Sequence, residues 1–452
     1  MLLHLVVLHH GLWGNPGHMT QVIAYLKSYA TVRASIPPSS LDEMRGEDTC
    51  GNPRPLLPHI QSLSSGPTSL SPEDTDRDNE PELSHSKDSP IPTDLVFLNI
   101  DCSVGSITYD GIDVCGERAV TSIMSTLNRL KGTIDRISFI GYSLGGLICR
   151  YAIGRLMSAN VFMNVRPINF ITLATPHLGT AKPVTSFVGR GFNFIMRSAL
   201  VRVGRQLTLK DEFLNGTPLL LVLSNPDMCF HKALALFQNR ATFANSRNDR
   251  TVRYTTAAIM STNPFTRFKE IKLDPVEYPN IVFPSKTEPW EKEPWEWSQI
   301  SIVCLFAIFS PILIPLWLLV LSFVLTAMSI QARIRNTPAV TDICWISPGS
   351  APPSPTSLSG MEIATSTAGE GKNSETNTNA LRLIPDTAHP IAKSDPKKQR
   401  ECMISSLNSL EWRRVNVSIH FTNAHAAIIL RRGGSGNANI LIYLAKEVFI
   451  SE

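Results

Sequence analysis

The chain has 452 residues, 43% apolar and 18% charged, which is enough apolar material for a sizeable core. Its net charge of +4, from 42 Lys and Arg against 38 Asp and Glu, comes without any dense basic run and argues against a nucleic-acid-binding protein. The eight cysteines include no C-x-x-C pair, so zinc and dithiol motifs are set aside and the thiols read as reduced, in a cytosol-facing protein.

Taken in chain order, the apolar start Met1–Leu8 has no basic flank and no small-residue cleavage site. It reads as a buried strand over Leu3–Leu8 rather than a signal peptide. A helical pattern follows over His18–Ala30. Residues 33–93 hold 10 Pro and 11 Ser among 61 positions, together with an acidic run around Glu73–Glu82. Such a composition cannot build a core and predicts a disordered insert. Short apolar runs at Leu95–Ile100, Arg136–Ile140 and Ile168–Leu173 then alternate with helical stretches at Ile112–Leu130 and Leu144–Met157. Arg240–Ala244 and Val415–His420 are further strand candidates, and Ala424–Leu430 a further helix. Alternating strands and helices predict an α/β fold with a mostly parallel sheet covered on both faces. The folded pieces are residues 1–32, 94–296 and 411–452, read as one domain. Residues 297–332 form a segment without a charge, and 333–410 a Ser/Thr/Pro-rich linker.

The strongest chemical signal is Gly141-Tyr142-Ser143-Leu144-Gly145, set directly after one predicted strand and before a predicted helix. This is the context of a nucleophile elbow. The turn is so tight that Gly141 and Gly145 must lack side chains, which leaves Ser143 with its hydroxyl exposed. A serine needs a base, and the base an orienting acid. In an α/β-hydrolase fold they follow in the order acid, then histidine. Asp249 and His425 both lie on loops at predicted strand ends in that order. Asp211 and Asp227 are rival acids with weaker strands before them. His177 ends a strand but precedes the acids and reads as a structural loop residue, while His420 falls within its predicted strand. Two backbone amides are expected to stabilise the oxyanion. One is that of Leu144, after the nucleophile. The other is that of Leu12, in the loop His10-Gly11-Leu12-Trp13-Gly14 after the first strand. This chemistry calls for no cofactor and no metal.

These residues carry a resemblance. Leu5–Asn15, Tyr109–Gly116, Ile140–Arg150, Ala174–Gly179, Phe237–Ile259 and Asn423–Arg431 together resemble the fungal, lipase-like serine esterase family that includes the lipid-droplet phospholipase. The resemblance implies an α/β-hydrolase that cleaves acyl esters of glycerolipids, with nucleophile, acid and base at Ser143, Asp249 and His425. His9 departs from it, standing where the family usually has an aliphatic residue.

The uncharged segment 297–332 is long enough for a bilayer span of ~20 residues. Pro311 and Pro315 interrupt it, however, and would break a helix there. Trp290 and Trp295 before it and Trp297 at its start, with Arg333 and Arg335 after it, suit a membrane interface. Because Asp249 precedes the segment and His425 follows it, a single crossing would part acid from base. A membrane-associated hairpin at the endoplasmic reticulum membrane or a lipid-droplet monolayer is therefore expected, with a hydrophobic lid over the site as the alternative. The expected function is acyl-ester hydrolysis of glycerolipids. A lipid acyltransferase using the same triad, or a non-catalytic membrane-tethered interaction protein, are the other readings.

Overall fold

The computed structural model describes residues 2–35, 94–180, 201–289, 395–420, 423–431 and 435–451, with isolated positions at 190 and between 319 and 330. The elements begin with β1 (Leu3–His9), α1 (Thr20–Ser35), β2 (Leu95–Asn99), α2 (Ile112–Arg129), β3 (Ile134–Tyr142) and α3 (Leu144–Ser158). Next come β4 (Arg166–Leu173), α4 (Val201–Leu207), α5 (Leu219–Ser224), α6 (Cys229–Ala235), β5 (Asn239–Asn245) and α7 (Tyr254–Ala257). The chain continues with β6 (Phe268–Asp274), β7 (Tyr278–Pro289), α8 (Pro396–Asn408), β8 (Arg413–Val417), α9 (Ala424–Ala427) and α10 (Ala438–Tyr443).

The strands make one eight-stranded sheet in the order β2-β1-β3-β4-β5-β8-β7-β6. The first six in that order pair in parallel, for example Leu5 with Ile137, Ile140 with Ile171, and Asn245 with Val417. β7 joins β8 antiparallel at Ile281–Val417, and β6 pairs antiparallel with β7. The fold is thus α/β with a mostly parallel sheet, as the alternation of apolar runs predicts.

Side chains of a strand alternate between faces, so a strand covered on both sides reads as continuously apolar. Leu5 and Val7 of β1 face one core with Phe139, Leu147, Ile148, Phe170 and Phe230. Val6 and Leu8 face the other with Met19, Ile140, Ile171, Phe243 and Val417. Each such side chain contributes ~1.5–3 kcal/mol on burial, so the central strands are the most strongly held part of the sheet. Its carboxyl edge, where β1, β3, β5 and β8 all end, is the natural place for chemistry.

Four expectations are corrected or bounded. The linker drawn as 333–410 ends in helix α8, which buries Gln399, Met403 and Leu407. Met403 and Leu407 lie four residues apart, on one helical face, and join the core that holds Phe230. The insert drawn from 33 begins later, because α1 runs through Ser35, and 36–93 lie outside the described residues. The last strand ends at Val417, so His420 is an exposed residue beyond it rather than part of it. The expected membrane hairpin at 297–332 lies outside the described residues apart from isolated positions. Among the described residues no helix is long and apolar enough to cross a membrane.

Candidate active site

β3 runs straight into α3 through Ser143, whose backbone is at φ 53° and ψ −124°. A side-chain-bearing residue at positive φ is strained, at a cost of ~1–3 kcal/mol, and survives only where its surroundings over-determine it. Here the neighbours do so. The Ser143 amide donates to the Leu173 carbonyl at 2.8 Å. A Cβ on Gly141 would stand 2.5 Å from the amide nitrogen of Gly146, and one on Gly145 would stand 2.5 Å from the His10 carbonyl oxygen. The two glycines of the motif are therefore dictated by backbone running against them.

Asp249 sits in the loop after β5 and His425 at the start of α9, after β8. Ser143 Oγ and His425 Nε2 are 2.9 Å apart, and His425 Nδ1 is 2.9 Å from Asp249 Oδ2. With Nδ1–H donating to the carboxylate, Nε2 is left to accept the serine proton. The Asp249 side chain is 2% exposed and that of His425 12%. Burial alone pushes the Asp249 carboxyl up. The hydrogen bond and charge of His425, the Val252 amide and the Asn245 side chain outweigh it and hold the carboxyl below its ordinary value. Asn245 Nδ2 donates to Oδ2 at 2.9 Å, while the amides of Thr251 and Val252 donate to Oδ1 at 2.9 and 2.8 Å.

The base is anchored by its own set of bonds. The Asn423 side chain accepts from the Ala426 amide and caps α9. Asn248 Nδ2 donates to the Ile419 carbonyl at 2.8 Å, which joins the acid loop to the chain leading to the base. Tyr142 Oη donates to the His425 carbonyl at 2.9 Å.

The loop after β1 closes the other side of Ser143. A Cβ on Gly11 would come within 2.7 Å of the serine Cβ, so Gly11 passes directly over it. The Gly11 carbonyl accepts from the His10 ring nitrogen Nδ1 and from the Gly14 amide, both at 3.0 Å. In a trans peptide the N–H points opposite to the C=O. Pinning that carbonyl therefore turns the Leu12 amide the other way. The Leu144 amide opens α3, where helical amides have no intrahelical acceptor. Neither amide donates to another group among the described residues. Trp13, at φ 54°, steadies the loop by donating from its backbone to Thr108 Oγ1 and from its indole to Tyr109 Oη, at 3.2 and 2.6 Å.

The structure thus brings Ser143, Asp249, His425, Gly141 and Gly145 together, with Leu12 and Leu144 beside them. The rivals lie elsewhere. Asp211, pushed up to about 6 by burial, accepts from the Leu219 amide at 2.8 Å. Asp227 is exposed in a turn with Asn225. His177 is fully buried, 3.0 Å from Thr172 Oγ1, and burial holds it well below its ordinary value. Sequence reasoning overlooked Asn245, Asn248 and Tyr142. Asn245 ends β5 and Asn248 stands in the polar loop after it, where neither periodicity nor motif marks them, and Tyr142 occupies a variable position of the elbow pattern. Among the described residues no group of three or more His, Cys, Asp or Glu could hold a metal ion.

The chain is similar to known proteins over part of its length. The chain is 32% identical over 130 residues to the "Putative lipase C4A8.10" of Schizosaccharomyces pombe, covering 28% of this chain and 16% of that protein. It is 30% identical over 198 residues to the "Putative lipase ROG1" of Saccharomyces cerevisiae, covering 39% of this chain and 28% of that protein. It is 35% identical over 144 residues to the "Putative lipase YDL109C" of the same yeast, covering 31% of this chain and 21% of that protein. The matches thus span less than a third of the length of these relatives. No solved structure matches the chain. Residues 81–262 match the family model "Putative serine esterase (DUF676)", a stretch that contains Ser143 and Asp249 and ends before His425. Over residues 81–262 the chain is therefore similar to the DUF676 serine esterase family, and over parts of its length to these fungal relatives.

Proposed function

We propose that this chain is an α/β-hydrolase that cleaves acyl esters of glycerolipids by a Ser-His-Asp acyl-enzyme mechanism. The observation that carries the reading is the relay of two 2.9 Å contacts from Ser143 through His425 to Asp249. In the reaction, Ser143 Oγ attacks the acyl carbonyl carbon while His425 Nε2 takes the hydroxyl proton. Asp249 holds the resulting imidazolium. The oxyanion is met by the amides of Leu12 and Leu144, where one such donor is typically worth ~3–4 kcal/mol. His425 then passes the proton to the leaving alcohol, and water resolves the acyl-enzyme by the same steps in reverse order.

A lipid substrate is supported by the lipase names of the relatives and by the uncharged segment 297–332. Asp249 and His425 flank that segment in the chain yet make contact. If the segment enters a membrane, it must return to the side it left. A hairpin in the endoplasmic reticulum membrane or in the monolayer of a lipid droplet meets that condition, with the catalytic domain facing the cytosol.

The test is hydrolysis by the detergent-purified chain, beside Ser143→Ala, on mixed micelles of phospholipid, lysophospholipid and monoacylglycerol. Release of fatty acid from one class, lost in the alanine variant, is the expected result. Labelling of Ser143 by a fluorophosphonate probe without release from any of the three would overturn the substrate class. Absence of both would overturn the enzyme.

A further inference from the structure

In the pattern Gly141-Tyr142-Ser143-Leu144-Gly145 the residue before the serine is free to vary as far as the turn is concerned. In this chain it is not idle. Tyr142 closes β3 as a buried residue, 3% exposed, and its hydroxyl reaches the base. Oη donates to the backbone carbonyl of His425 at 2.9 Å, and the two rings lie 5.2 Å apart at 37°. One residue thus holds both the main chain and the ring face of the base, from a backbone that leads directly into the nucleophile.

We infer that Tyr142 is a positioning residue for His425, setting the register of the imidazole against Ser143 through the hydrogen bond from its hydroxyl to the His425 carbonyl. The inference rests on the serine-hydrolase reading above. Three observations converge on it. α9 is only the four residues Ala424–Ala427, too short to fix its own place on the sheet. The histidine's own ring bonds go to Asp249 and Ser143, the groups it must work with, so its placement has to come from other contacts. The hydroxyl also stays a donor across the working pH range, because burial first, and the Asp249 charge next, push it up beyond the usual phenol range. Proton transfer between Ser143 and His425 needs hydrogen-bond distance and alignment, and a shift of ~1 Å in such a site costs about 100-fold. A tether at the carbonyl of the base itself limits that shift.

The experiment compares the full chain with Tyr142→Phe, which keeps the ring and removes only the donor. On a soluble short-chain ester kcat is expected to fall about tenfold with KM changed less than twofold, because substrate contacts are untouched and only alignment is lost. The rate of fluorophosphonate labelling should fall by a similar factor. A second readout does not need activity. In the native chain the proton shared by His425 Nδ1 and Asp249 should give a far-downfield NMR resonance, assigned by its absence in His425→Ala, that broadens or disappears in Tyr142→Phe. A folded Tyr142→Phe with kcat within twofold of native and an unchanged resonance overturns the inference. If Tyr142→Phe does not fold, Tyr142→Met, which fills the space without a donor, is read in its place by the same criteria. If the native chain neither hydrolyses nor labels, it is the hydrolase reading that fails, and the NMR comparison still decides whether Tyr142 holds His425.

Discussion

The nucleophile and the base are held in opposite ways. Ser143 is clamped by backbone: a Cβ on either flanking glycine would come within 2.5 Å of main-chain atoms, and the strand and helix on either side are buried in the core. His425 is placed by side chains, namely Tyr142, Asp249 and Asn248 from other elements and Asn423 from its own turn. The first arrangement is encoded within five consecutive residues. The second needs four, brought from β3, the acid loop and the base's own turn. A backbone clamp tolerates no bulk but asks little of chemistry. A side-chain anchor tolerates bulk at its edges but depends on each donor and acceptor.

Four substitutions would break or sharpen that contrast, from the largest expected effect down. Ser143→Ala removes the group both regions serve, and kcat on a soluble ester should drop about a million-fold, toward the residual rate left by binding alone. Residual activity above a thousandth of native would place the nucleophile elsewhere. Asp249→Asn keeps the shape of the acid loop but offers His425 a group that need not fix the right tautomer, and kcat should fall by roughly a thousand- to ten-thousand-fold. The same variant sharpens an electrostatic point. Because Asp249 is held below its ordinary value, its charge stabilises the fold above about pH 4, and that contribution fades as pH falls through its folded-state value. The stability gap between the native chain and the Asp249→Asn variant, read by urea unfolding, should therefore narrow on acidification.

Gly145→Ala tests the clamp directly. The new methyl would lie 2.5 Å from the His10 carbonyl, and neither backbone can yield, so the cost should be about 3 kcal/mol, seen as a lower urea midpoint. A native midpoint with full activity would show the elbow to be far less crowded. The smallest effect concerns His9, fully buried beneath the elbow with Nδ1 bonded to the His10 carbonyl and no partner for Nε2 among the described residues. Burial, with the neighbouring His10, pushes it down to about 3. The unfolded chain takes up a proton near pH 6.5 that the folded chain refuses, so stability falls with pH below 6.5 by up to ~1.4 kcal/mol per unit for this one group. His9→Val should leave stability at pH 7 intact and lessen the loss between pH 7 and pH 5 by ~2 kcal/mol. An equal loss in both chains would mean that His9 already carries its proton when folded.

The ease of reading each part follows from the same contrast. The parallel strands β1 to β4 were legible because their cores are apolar runs, whereas β5 and β8, broken by Arg240, Thr242, Arg414 and Asn416, were fainter. The elbow was legible because its steric demand falls on neighbours in sequence. The β6–β7 hairpin was not, since an edge pair carrying Lys269, Glu270, Lys272 and Asp274 lacks a long apolar run. Helix α8 was hidden by its own polarity: Lys397, Lys398, Arg400 and Glu401 surround a narrow buried stripe of Gln399, Met403 and Leu407. Asp249 and His425 were legible as candidates through chain order, yet Asp211, Asp227 and His177 met parts of the same description.

What the sequence determined by itself is what neighbouring residues can enforce: the parallel strands, the strained serine between its glycines, and a loop shaped to pass over it. Tertiary structure alone decided which carboxylate and which imidazole complete the relay, and which donors hold them. Asp249 lies 176 residues from His425, and His425 lies 282 from Ser143. No local preference acts over such separations. Only the parallel pairing of β3, β4, β5 and β8 carries their carboxyl ends to one edge, where hydrogen bonds of 2.9 Å become possible.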